Sequence, residues 1–144
     1  MLFRSARATE ACLSLPVPMV AAIVGEGGSG GAVALASAER VLMLEHAIYS
    51  VISPEGASSI LWREAARAED AATNMKITAQ DLLRFGIVDA IVTEPGGGAH
   101  RDHAAVMTAV GNAVEAALQD LGGLGRDAIR AARTEKFLAM GRKI

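Results

Sequence analysis

The sequence predicts an α/β fold built on a parallel sheet, and three observations carry that prediction. Apolar runs of strand length alternate with segments of helical periodicity along all 144 residues, the pattern of strand–helix units. The first run, Val17 to Val24, is apolar throughout, as in a strand covered on both faces. It leads directly into Gly25-Glu26-Gly27-Gly28-Ser29-Gly30-Gly31, a glycine knot from which a short helix of small residues departs.

The elements follow in order. Residues 4–14 form a short helix with Ala8, Ala11, Cys12 and Leu15 on one side, stopped by Pro16 and Pro18, which launch the first strand. Ala32 to Ala38 is the small-residue helix. Arg40 to Glu45 and Ala47 to Ser53 are the next strands. Ser53-Pro54-Glu55 starts a helix, with Ser as cap, Pro at the first position and an acid in the first turn. An alanine-rich helix covers residues 68–75. Thr78 to Asp81 resembles a capping box and opens a helix that Gly86 ends. Ile87 to Val92 is a strand and Pro95 to Gly98 a loop. Asp102 to Leu121 is a long helix with Val106, Val110, Val114, Leu118 and Leu121 in phase. A glycine-rich break at 122–125 precedes a basic amphipathic helix (Arg126, Arg130, Arg133, Lys136, Arg142, Lys143) whose charges read as a solvated face or a contact for a ligand phosphate or a partner. The expected organisation is one domain over residues 1–121 and a helical tail over 122–144. No repeat or low-complexity tract is evident.

Composition narrows the class. At 51% hydrophobic and 3% aromatic, the core must be built from Ala, Val, Ile, Leu and Met. The 14 basic and 16 acidic residues nearly balance, which shows no footprint for nucleic acid or an anionic membrane. Cys12 is the single cysteine, so an internal disulfide and a cysteine zinc cluster are excluded. Arg4 and Arg7 ahead of an apolar segment have the order of a secretory leader. Glu10, Pro16 and Pro18 interrupt it and no small-x-small cleavage site follows, so a cytoplasmic protein is expected. No apolar run approaches the ~18 residues of a membrane span.

Three chemistries compete for the glycine knot. Gly25-x-Gly27-x-x-Gly30 matches a dinucleotide-binding turn, with Glu45 about 20 residues on as the ribose-binding acid; the following helix, ~13 Å long, is short for that fold. Gly27-Gly28-Ser29-Gly30-Gly31 contains the G-x-S-x-G of a nucleophile elbow, with His100 downstream but no Asp singled out. The third chemistry uses only backbone: the Gly30 and Gly31 N–H groups at a helix start form an oxyanion hole, with Gly27, Gly28 and Ser29 lining the approach. Tight strand–helix packing without any anion is the alternative without chemistry.

Four segments in order carry a resemblance: the glycine knot (25–31), Tyr49 to Gly56 (YSVISPEG), Ser59 to Trp62 (SILW) and Glu94 to Arg101 (EPGGGAHR). Over roughly residues 8–140 the chain resembles the carboxyltransferase α subunit of bacterial acetyl-CoA carboxylase. The resemblance implies a crotonase-like (ClpP/crotonase) fold of stacked ββα units, here a portion of the superhelix with C-terminal helices. It implies a heterotetramer of two α and two β subunits that moves the carboxyl group from carboxybiotin, borne by the biotin carboxyl carrier protein, to acetyl-CoA. Malonyl-CoA for fatty acid biosynthesis results, within an ATP-binding complex. The family's glycine pair falls on Gly30 and Gly31, whose N–H groups stabilise the biotin ureido oxyanion. The β subunit supplies the hole for the thioester enolate and carries the zinc, so no metal and no covalently bound cofactor are expected in this chain.

The resemblance also sharpens individual residues. Enoyl-CoA hydratases of the wider fold use two glutamates; Val33 stands at the first position and Glu55 keeps the second, and one carboxylate alone argues against water addition. Glu55 then reads as a first-turn helix acid. His46 packs near a turn, His100 and His103 lack a third metal ligand, and His100-Arg101 is a loop or subunit contact. Met43, Met75, Met107 and Met140 are core or interface filler. The family's α subunit has a large upstream portion that residues 1–5 do not match. The chain therefore reads as a C-terminal fragment, with one sheet edge and one core face exposed, and as either a catalytic portion or a non-catalytic assembly piece.

Overall fold

Two parallel sheets organise the molecule, whose computed structural model describes residues 2–142. Met1, Ile144 and Lys143, the last counted above among the basic residues of the final helix, lie outside the described residues. The elements are α1 (Leu2–Ser14), β1 (Val20–Ile23), β2 (Glu26–Gly28), α2 (Ser29–Leu35), β3 (Arg40–Leu44), β4 (Ile48–Ser50), α3 (Pro54–Trp62), α4 (Ala68–Met75), α5 (Ala79–Arg84), β5 (Ala90–Val92), α6 (His103–Leu121) and α7 (Arg126–Ala139). Short 3-10 turns lie at Ala65–Arg67 and Ala99–Arg101.

The first sheet has the order β1-β3-β5. Its register runs from Val20↔Arg40 to Ile23↔Met43 and from Leu42↔Ala90 to Leu44↔Val92. The second pairs β2 with β4, Gly27 opposite Tyr49 and Gly28 opposite Ser50. The chain therefore traces β1-β2-α2 and then β3-β4-α3, two successive ββα units. The second unit matches the strands and helix expected over residues 40–62; the strand β2 of the first is not legible in the sequence, because it is a three-residue segment whose existence depends on pairing with β4. The glycines of β2 have poor strand propensity alone.

The core centres on β3. Val41 to Leu44 are buried and pack with Ala36, Ala38, Ala79, Leu82, Val88, Val92 and Val106. Sequence caps position the helices around it. Ser53 accepts the Gly56 N–H, Thr78 that of Asp81 and Asp102 that of Ala105. Gly86, at φ 71°, turns the chain after α5. The ends of α3 and α4 use Arg63 and Lys76 in the left-handed region, residue types that give no stop signal in sequence.

Two expectations are corrected. The run Val17–Val24 is a strand only over Val20–Ile23. In this chain it lies at the edge of its sheet. Val24 at 63% and Leu35 at 68% exposure flank that open edge, the exposed edge that the reading of the chain as a fragment expects. Finally, the last helix is not a solvated tail. Within α7, Ile129 and Arg133 are buried, and α7 docks against α1.

Candidate functional site

The parallel strands β1, β3 and β5 end on one side of their sheet, where open α/β folds place ligands. The loops there are held by backbone and carboxylates. Gly25 accepts the Ile48 N–H at 2.9 Å, which joins the two sheets at the knot. Glu45 Oε2 accepts the Glu94 N–H at 3.1 Å. Glu94 in turn accepts from the His46 N–H at 2.7 Å and the Ala99 N–H at 2.8 Å. Glu45 is thus a brace for the Glu94 loop, not a free acid for a ribose, and the dinucleotide reading loses its second anchor. Sequence reasoning missed Glu94 as the residue that ties the ends of β3 and β5. Its signal, an acid just after a strand and before a glycine loop, is too common to single out.

The knot divides its glycines by task. A Cβ at Gly27 would come within 3.2 Å of Ile23 Cγ2 and Tyr49 Cδ2, so Gly27 is small to let β2 lie against β4. Gly28 is the extended cap residue of α2, and no side chain caps the first turn. Ser29, Gly30 and Gly31 are the first three residues of α2, which starts three positions before the expected Ala32. Their N–H groups are those a helix start leaves without internal partners. Gly31 is exposed, and a Cβ there meets nothing within 4 Å. Gly30 is half-buried; its Cβ would lie 3.0 Å from Ser5 Cβ on α1.

Ser29 has φ 63°, the left-handed backbone that a nucleophile elbow also uses. Among the described residues, however, no histidine hydrogen-bonds it. Tyr49 beside Gly27 is half-buried, and desolvation pushes its phenol above the ordinary 10.0. An acid whose folded pKa is raised contributes stability that is complete below the unfolded value and is lost as pH rises through the folded one. Because Tyr49 is the single tyrosine, tyrosinate absorbance in a pH titration should show a midpoint above 10 in the folded chain, falling to about 10 in denaturant. Equal midpoints would refute the burial of the hydroxyl.

The remaining candidates are dispersed. Glu55 is exposed in the first turn of α3. Val33 is half-buried on α2, its carbonyl accepting from Ser37 Oγ at 2.9 Å. Gly97 and Gly98 are left-handed, at φ 96° and 103°. The Arg101 side chain lies over Gly97, where a Cβ would come 2.8 Å from Nε. Among the described residues no three His, Cys, Asp or Glu side chains converge as metal ligands, and no helix is long and apolar enough to cross a membrane.

A family model described as "Acetyl co-enzyme A carboxylase carboxyltransferase-like" matches residues 4–141. An acetyl-coenzyme A carboxylase carboxyl transferase subunit alpha from Nitrobacter winogradskyi is 66% identical, over 96% of this chain and 43% of that protein. The subunit of the same name from Xanthobacter autotrophicus is also 66% identical, with 96% and 44% covered. The chain spans less than half the length of these curated relatives. Among solved structures, a Pseudomonas malonate decarboxylase hetero-dimer matches with TM-score 0.65 and 20% identity, over 93% of this chain and 54% of that chain. That likeness is one of fold, and the fold is the crotonase type.

Proposed function

The chain belongs to the acetyl co-enzyme A carboxylase carboxyltransferase-like family, and on that premise we propose that it forms part of a carboxyltransferase α subunit that transfers a carboxyl group from carboxybiotin to acetyl-CoA, yielding malonyl-CoA. The observation that carries the proposal is the position of the family's glycine pair. Gly30 and Gly31 occupy the uncapped first turn of α2. When carboxybiotin releases CO₂, negative charge develops on the ureido oxygen. Two fixed N–H donors at a helix start stabilise that charge more than the neutral ground state, which is what lowers a barrier. Biotin then takes the proton from the acetyl methyl group and the resulting enolate carbon attacks the released CO₂ to form the new C–C bond, so this chain need supply no titrating side chain. Val33 has no proton to exchange, and Glu55 is exposed on another helix; neither favours water addition.

In this reading the partners are the zinc-bearing β subunit, with which the α subunit forms a heterotetramer, and the biotin carboxyl carrier protein in the cytoplasm. The decisive assay mixes the chain with β subunit, carboxybiotin carrier and acetyl-CoA and follows malonyl-CoA, beside the full-length Nitrobacter relative. Turnover supports the proposal. Turnover by the relative alone would reduce the chain to an assembly piece. A second test separates backbone from side-chain chemistry. Ser29→Gly suits the left-handed turn, so stability should change by less than about 1 kcal/mol and carboxyl transfer should persist. Loss of transfer in a folded Ser29→Gly protein would restore the nucleophile-elbow reading.

A further inference from the structure

The most deeply buried charge in the molecule lies away from the glycine knot. Arg133 on α7 is fully buried, and Glu39, between α2 and β3, is 2% exposed. They pair at 2.6 Å, Nη2 to Oε1. The guanidinium does more than neutralise the acid. Its Nη1 donates to the carbonyls of Cys12 and Leu15, and its Nη2 to that of Val17 at 2.7 Å. Glu39 Oε2 accepts the Met19 N–H at 2.8 Å. One ion pair therefore gathers the last turn of α1, the Pro16–Pro18 linker and the entry to β1. These carbonyls have no strand partner, and a planar five-donor group meets several of them at once, as an ammonium cannot. Lys136, one turn on, extends the clamp to the Ala38 and Glu39 carbonyls and to Asp89.

The other half of α1 lies against α2. The point of contact is Ser5 on Gly30, close enough that any Cβ at Gly30 would force one of them to move. Gly28 and Gly31 on either side have open space. A helix of this length is marginal unless docked. α1 is thus a rod clamped at its C-terminal end by Arg133 and resting near its N-terminal end on the first turn of α2.

We propose that Arg133, with Glu39, is a positioning residue for the glycine turn, acting through α1 and the Ser5–Gly30 contact. The clamp is read from the structure; its bearing on carboxyl transfer rests on the function proposed above. The test is amide hydrogen exchange on the whole chain carrying Arg133→Lys, which keeps the charge and loses the fork. Exchange should accelerate about tenfold or more in residues 4–14 and 32–36 and stay unchanged in Val41–Leu44 and Ala90–Val92, as expected for local rather than global opening. Uniform acceleration, or none in residues 32–36, would overturn the proposal. Gly30→Ala provides a second arm with the clamp intact. It should loosen α1 alone, and Ser5→Gly added to it should restore protection; an α1 indifferent to Gly30→Ala also overturns the proposal. In the assembled carboxyltransferase, Arg133→Lys should lower kcat with KM unchanged. Absence of turnover already in the unmutated chain would count against the proposed function, while the exchange pattern alone decides the clamp.

Discussion

Arg133→Met is expected to lower the unfolding free energy by about 3–5 kcal/mol, the range for breaking a buried ion pair from one side. The size follows from what is left behind. Glu39, 2% exposed, would be left buried without its counterion. The carbonyls of Cys12, Leu15 and Val17 would lose their shared donor. Adding Glu39→Met should recover part of the loss by removing the stranded carboxyl group, but not all of it, because the carbonyls stay unpaired and Met19 loses its acceptor. Urea unfolding followed by circular dichroism measures both variants. A loss below about 1 kcal/mol for the single substitution, the level of exposed ion pairs, would mean that water reaches this site in solution.

Gly31→Val is expected to reduce carboxyl transfer by about 10²–10³ while leaving the fold intact: the backbone N–H stays, but an oxyanion kept from reaching it loses the equivalent of one good donor. The structure makes this substitution unusually clean. A Cβ at Gly31 meets nothing within 4 Å, and valine has a better helix propensity than glycine. Stability should therefore hold, while a branched side chain beside the exposed Gly31 N–H should hinder an oxyanion from reaching it. The variant belongs in this chain and at the matched glycine of the Nitrobacter relative, with malonyl-CoA formation and association with the β subunit as separate readouts. Unchanged turnover would remove Gly31 from the proposed oxyanion hole. Loss of association would show that the residue serves assembly. Gly30→Ala is less informative about chemistry, because its Cβ would strike Ser5.

Much of the fold was legible in the sequence because it rests on local rules. Ser53 and Thr78 announced their helices through side chains that accept first-turn N–H groups, and the helix from Asp102 was announced by its apolar periodicity. The apolar run at Val41–Leu44 announced a buried strand. Gly86 marked a left-handed turn. The glycine knot was visible as the start of a helix, which the structure gives an uncapped first turn. Arg133 was misread because a helix face is classified by residue type, and an arginine in a basic run counts as solvated. Its spacing from Ile129 (i, i+4) was the available signal that it shares the buried face.

What the sequence by itself determined is the α/β class, the family and the pair of glycines at a helix start, since these depend on residues close together in the chain. What only the tertiary structure decided is the pairing of β2 with β4, the division of labour among the knot's glycines and the burial of Arg133 against Glu39. Each depends on a partner far away in sequence: Gly27 on Tyr49, Gly30 on Ser5, Arg133 on the carbonyls of residues 12, 15 and 17. The physical reason is that a glycine's or an arginine's energy is set by the atoms placed around it. Local pattern fixes the backbone's direction, and packing alone fixes which atoms those are.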